Sequence, residues 1–104
     1  MDRFDVDATR RGLLAEGGGY RVVHASPGLE IGVYVLVAPE PDRQQPHEWD
    51  EIYVVLGGNG VLTVEDEDIS LGEGGAVFVR AGAEHRFSAY EHLAVLVLFD
   101  KSQT

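Results

Sequence analysis

From residue 20 onward, hydrophobic positions fall in short runs rich in Val, Leu, Ile, Tyr and Phe, parted by turn residues. The runs cover 20–26, 31–38, 51–56, 60–65, 69–71, 76–80, 85–89 and 93–99. Between them stand Pro27–Gly28, Gly57–Gly58–Asn59–Gly60, Asp66–Glu67–Asp68, Gly72–Gly75 and Ala81–Glu84. Eight short strands in a chain of 104 residues predict an all-β sandwich or double-sheet jelly roll. Ahead of them, Asp7 is placed to cap a short helix over 8–16, with Leu13 and Leu14 on its apolar face and Gly17–Gly19 ending it. Residues 33–37 and 93–99 are apolar at nearly every position. Both faces of those strands are therefore expected to be covered, one by the barrel interior and the other by the N-terminal segment or a partner subunit.

The length fits one domain, 1–104, with a barrel core over about 20–99. Thirteen glycines in so short a chain favour tight turns over helix interiors. Eighteen acidic against eight basic residues give a net charge of −10, which repels phosphate backbones, so nucleic acid is not an expected partner. The absence of cysteine excludes disulfides and thiolate metal sites. No apolar stretch approaches the roughly 20 residues needed to span a bilayer, and the N-terminus does not read as a signal peptide. The expectation is a cytoplasmic protein binding a small molecule.

The chemistry gathers in two segments, 44–60 and 74–87. On a strand, residues of equal parity share a face, so Glu51, Tyr53 and Val55 point one way. A carboxylate beside Tyr and Val in an apolar strand is costly to bury unless it is paired. His85 and Phe87 form a similar set, and one ion between the two faces satisfies both. Residues four apart on a straight strand are about 13 Å apart, so His47 can share that ion only from a bend at the strand entry, around Trp49–Asp50.

These segments resemble the two motifs of the cupin superfamily. The first runs H-x-H, three or four residues, Glu, six residues, Gly; here His47, Glu51 and Gly58 keep the spacing. The second runs Gly, five residues, Pro-x-Gly, two residues, His, three residues, Asn; here Gly74, Gly82 and His85 match, while Arg80 and Ala89 replace the proline and asparagine. The resemblance covers about 31–99 and implies a double-stranded β-helix with His47, Glu51 and His85 as metal ligands. It also implies a homodimer, since cupins commonly pair through doubly apolar strands. The family's first histidine falls on Gln45, a candidate fourth, neutral ligand whose role passes to Gln44 on a one-residue shift.

Two imidazoles and a carboxylate suit one divalent Fe, Mn, Ni, Co or Zn ion. With Glu51 a ligand, proton transfer would fall to a metal-bound hydroxide or to Tyr53. Trp49, Phe78, Phe87 and Phe99 could line a pocket, with Phe78 and Phe99 better placed in the core, and Arg80 could meet an anionic substrate or neutralise Glu51. Three readings stay open: an enzyme of dioxygenase or isomerase/lyase type acting on a small polar or anionic metabolite, a binding or sensing module without turnover, and a dimerisation scaffold with a vestigial pocket.

Overall fold

A computed structural model describes residues 1–102. One helix, α1 (Val6–Ala15), precedes seven strands: β1 (Gly19–Ser26), β2 (Leu29–Val37), β3 (Glu51–Val64), β4 (Glu67–Gly72), β5 (Ala76–Val79), β6 (His85–Ser88) and β7 (His92–Asp100). All pairings are antiparallel. The strand path is β1-β2-β7-β3-β4, and β5 and β6 both join β3 as well.

Strand β3 is the hinge of the barrel. Its first half pairs with β7 and β5, and its second half with β4 and β6, so a single strand serves both sheets. The expected turn at 57–60 is thus no turn. The register against β7 slips between Val55 and Gly57, leaving Leu56 as an extra residue that bends the strand. Gly58 then sits at φ +77, where a Cβ would lie 2.2 Å from the His92 carbonyl oxygen. Glycine alone tolerates both that conformation and that approach. The slip also exchanges the inward parity: Glu51, Tyr53 and Val55 are buried before it, Gly60 and Leu62 after it.

Tyr53, Val55, Leu62, Phe87, Leu93, Val95, Val97 and Phe99 fill the interior. A second cluster on the outer face joins Leu13 to Val33, Val35 and Ala94. Of the two covers considered for strands 33–37 and 93–99, the N-terminal segment is the one seen, and it shields the part nearest α1. Beyond the helix, cross-strand partners form an apolar row, Phe78–Ile52–Leu98–Ile31. Phe78 is 59% exposed and Ile52 41%, so Phe78 belongs to neither core nor pocket.

The helix is capped by Asp5, not Asp7: the Asp5 carboxylate accepts the Ala8 N–H at 2.9 Å. Asp7 lies two residues further on, in the first turn, and pairs with Arg10 and Arg11, which hold its carboxyl below the usual range. Gly17, at φ +89, ends the helix, and the Gly18 N–H returns to the Leu13 carbonyl.

Candidate metal centre

Three elements bring the site together. Glu51 opens β3 and points inward beside Tyr53, because both occupy the odd positions ahead of the bulge. His85 opens β6 and projects into the same interior, its side chain 1% exposed like that of Glu51. His47 lies in the loop before β3, where the chain bends at Glu48–Trp49, and the Gly82 N–H ties the His47 carbonyl at 2.7 Å. The bend removes the 13 Å problem of a straight strand. One donor atom from each of His47, Glu51 and His85 lies within 4.8 Å of the others.

Hydrogen bonds orient these side chains. His85 Nδ1 faces the Ala83 carbonyl at 2.9 Å, so this nitrogen carries a proton. Nε2 lies 2.8 Å from Glu51 Oε1 and 3.0 Å from the Tyr53 hydroxyl. Tyr53 gives its proton to Gln44 Oε1 at 2.9 Å, and in the protonated imidazole Nε2 donates to Glu51. Burial alone opposes the cation, but the Glu51 carboxylate and the Ala83 carbonyl outweigh it and raise the His85 pKa. Desolvation and the neighbouring Glu51 likewise push the Tyr53 hydroxyl far above its ordinary range, so Tyr53 keeps its proton.

Does this set fit a metal ion? Glu51 Oε2 is buried without a hydrogen-bond partner, an uncompensated acceptor at the centre of the barrel. Donors bound to one ion at about 2.0–2.2 Å lie no more than about 4.4 Å apart, so the observed spread needs only a small closure. The second ring nitrogen of His85 is already held by a backbone carbonyl, as metal-ligating histidines require. The residues fit.

The amide that enters the site belongs to Gln44, not Gln45. Gln45 is exposed, while Gln44 Oε1 lies 3.4 Å from His47 Nε2. Its orientation is set by Asp42, a 3%-exposed carboxylate that the sequence reading passed over. Asp42 Oδ2 accepts Gln44 Nε2 at 2.6 Å and the Phe87 N–H at 2.9 Å. Its Oδ1 accepts the Tyr34 hydroxyl at 2.7 Å and the Gln44 N–H at 3.2 Å. An amide nitrogen pinned to a carboxylate leaves the amide oxygen facing the ligands.

Beside His47 opens a cavity of about 340 Å³ walled by Tyr20, Tyr34, Trp49, Tyr53 and Phe99, with Glu30 at its edge. Trp49 was expected there and Phe99 in the core, and Phe99 serves both; Tyr20 and Tyr34 come from β1 and β2, which carry neither motif. Phe87 lies beneath Tyr53, its ring edge-on at 4.9 Å, and is core. Arg80 pairs with Glu65 at 2.6 Å on the surface and does not neutralise Glu51. The His24 ring lies tilted against Phe4, and His92 and Glu84 are exposed. Among the described residues, no helix is long and apolar enough to cross a membrane.

Fold and site together define a class: a small double-sheet barrel with two imidazoles and one carboxylate converging on its interior. The chain belongs to the cupin family, whose Cupin domain model matches residues 33–99. The protein SCO3923 of Streptomyces coelicolor is 33% identical over 105 residues, spanning 100% of both chains. The structure of TT1209 from Thermus thermophilus is similar at a TM-score of 0.79 and 28% identity, over 96% of this chain and 97% of that one. Salicylate 1,2-dioxygenase from Pseudoaminobacter salicylatoxidans shares the fold at a TM-score of 0.77 and 14% identity, over 90% of this chain and 31% of the enzyme.

Proposed function

We propose that this protein is a metal-dependent cupin enzyme that acts on a small molecule held in the aromatic cavity beside His47. The observation that carries the reading is the buried Glu51 carboxylate, with one oxygen on His85 and the other without a partner. His47, Glu51 and His85 would hold one divalent ion, with Gln44 Oε1 as a neutral fourth donor and the remaining positions open. Such an ion, when bound, supplies Lewis acidity toward a substrate oxygen or, with iron, access to O₂ chemistry. Dioxygenase and isomerase/lyase reactions both suit that set, and the fold does not choose between them.

The chain's own residues divide the remaining work. Tyr53 retains its proton and acts as a hydrogen-bond or proton donor to the reacting group, not as a base. Glu51 is committed as a ligand. Trp49, Tyr34 and Phe99 exclude water and orient the substrate, while Asp42 keeps Gln44 turned inward. A binding or sensing role is the second reading, favoured because, among the described residues, the cavity next to His47 is lined by no carboxylate or imidazole beyond the ligand set except Glu30.

The test is metal analysis of untagged protein purified without chelator, beside isothermal titration of the metal-free form. Close to one ion per chain is expected. His47→Ala and His85→Ala should weaken binding by at least about 100-fold with folding intact, Gln44→Ala by about tenfold, and Gln45→Ala should leave it unchanged. Unaltered affinity in the histidine variants would remove the metal centre. Stoichiometric metal with ligand binding and no turnover would leave the second reading.

A further inference from the structure

The cavity beside His47 has a character of its own. Tyr20, Tyr34, Trp49 and Phe99 offer ring faces or edges around one space, and its lining, among the described residues, includes Glu30 but no arginine or lysine. Two of the tyrosines give their hydroxyl protons to carboxylates, Tyr20 to Glu30 at 2.9 Å and Tyr34 to Asp42 at 2.7 Å. The space is thus bounded by electron-rich rings backed by acidic groups, in a chain of net charge −10. The one lysine of the sequence reports on that potential. Lys101 follows Phe99 along the inner side of the chain, and its ammonium stands 5.1 Å above the Trp49 ring centre and 3.5 Å from Glu30 Oε1.

A compact cation is stabilised by an aromatic face and a carboxylate together, and the gain grows as the site is desolvated. We infer that this cavity is a binding site for a small organic ammonium ion, seated between Glu30 and the Trp49 ring where the Lys101 ammonium now rests at the rim. An ammonium ligand displaces Lys101 outward, and its apolar groups fill the space between Tyr20, Tyr34 and Phe99. As the substrate class of the proposed enzyme the inference rests on that reading. As a binding site it depends only on the cavity, and the metal-free protein can test it.

Trp49 is the only tryptophan, so its emission reports occupancy directly. Three probes of one shape separate charge from apolar fit: choline, its neutral carbon analogue 3,3-dimethylbutan-1-ol, and the anion 3,3-dimethylbutanoate. In the metal-free full chain, choline should give a saturable Trp49 response with a Kd about tenfold or more below that of the alcohol. Glu30→Gln, which keeps an acceptor for Tyr20, should erase most of that preference. Lys101→Met should tighten choline binding by about threefold or more, because the competing ammonium is gone.

Equal affinity for choline and the alcohol would overturn the inference, since the cavity would then select only apolar bulk. Tighter binding of 3,3-dimethylbutanoate, lost in Lys101→Met, would overturn it too and make Lys101 an anion anchor. No saturable response to any of the three would also end it. Metal titration of the same preparations keeps the two ideas apart: choline selectivity without metal uptake sinks the enzyme reading alone, and metal uptake without choline selectivity sinks this one alone.

Discussion

Replacing Asp42 by asparagine should destabilise the protein by about 2–4 kcal/mol and turn the Gln44 amide around. The carboxylate accepts four donors, two on each oxygen: the Tyr34 hydroxyl and the Gln44 N–H on one, Gln44 Nε2 and the Phe87 N–H on the other. Asparagine keeps one oxygen and sets an NH₂ group against the donors of the other. Gln44 can relieve its own conflict by a flip, offering Oε1 to the new NH₂. If the new NH₂ takes the second oxygen's place, the Phe87 N–H has no such escape, because β6 pairing with β3 fixes it. In the opposite rotamer the Gln44 N–H and the Tyr34 hydroxyl lose their acceptor instead.

One charge-assisted bond is therefore lost outright, worth about 1.5–3 kcal/mol, and a buried donor is left unsatisfied at a further cost of about 1–3 kcal/mol. Partial relaxation keeps the net near the lower half of that sum. For a domain of this size the loss corresponds to a fall in Tm of about 10–20 °C. Urea unfolding of metal-free protein, followed by Trp49 emission, measures the first effect. The flip would turn an N–H toward His47 in place of an oxygen, so metal affinity in the folded variant should fall with it. A stability loss below about 0.5 kcal/mol would refute the idea that Asp42 organises this side of the barrel.

Gly58→Ala should cost at least about 2 kcal/mol, because the new methyl meets backbone that cannot step aside, whereas Gly82→Ala, at φ +79 with open space around it, should cost only about 1 kcal/mol. Equal losses in urea midpoint would show that the approach to His92 is unimportant. For pH, His85 in the metal-free protein has its pKa raised above the ordinary 6.5, so its contribution is fully present below 6.5 and disappears as pH climbs through the raised value. Metal binding must expel the Nε2 proton, so added metal should reverse the trend and protect more strongly as pH rises across the same window. Thermal unfolding from about pH 6 to 9, with and without metal, checks the opposed slopes; parallel curves would count against the His85–Glu51 pairing as drawn.

Much of the barrel could be read from the chain because alternation and turn residues carry it. Glu51, Tyr53 and Val55 share a face as parity requires, and the bend before Glu51 follows from the reach of His47. The errors have local causes. Gly57–Gly60 has the composition of a turn, yet the strand pairs on both sides of it, and only long-range partners distinguish a bulge from a reversal. Phe78 faces outward because β5 pairs with β3 in a register that no local pattern specifies. Gln44 and Gln45 are adjacent and chemically identical, so the choice between them depends on Asp42, whose partners lie as far away as Phe87. The Tyr20 and Tyr34 share of the aromatic cavity escaped for a similar reason: they join Trp49 only once β2 has paired with β7.

Helix α1 also governs where this polypeptide can be cut. The family match begins at residue 33, inside β2, yet Leu13 and its neighbours seal Val33, Val35 and Ala94 from water. A shortened chain begun at that point would lose β1 and strip the outer sheet of its cover. It would also leave the edge of β2 unpaired beside a bare row of aliphatic side chains. Such fragments should precipitate or self-associate, however intact the ligand-bearing half of the barrel remains.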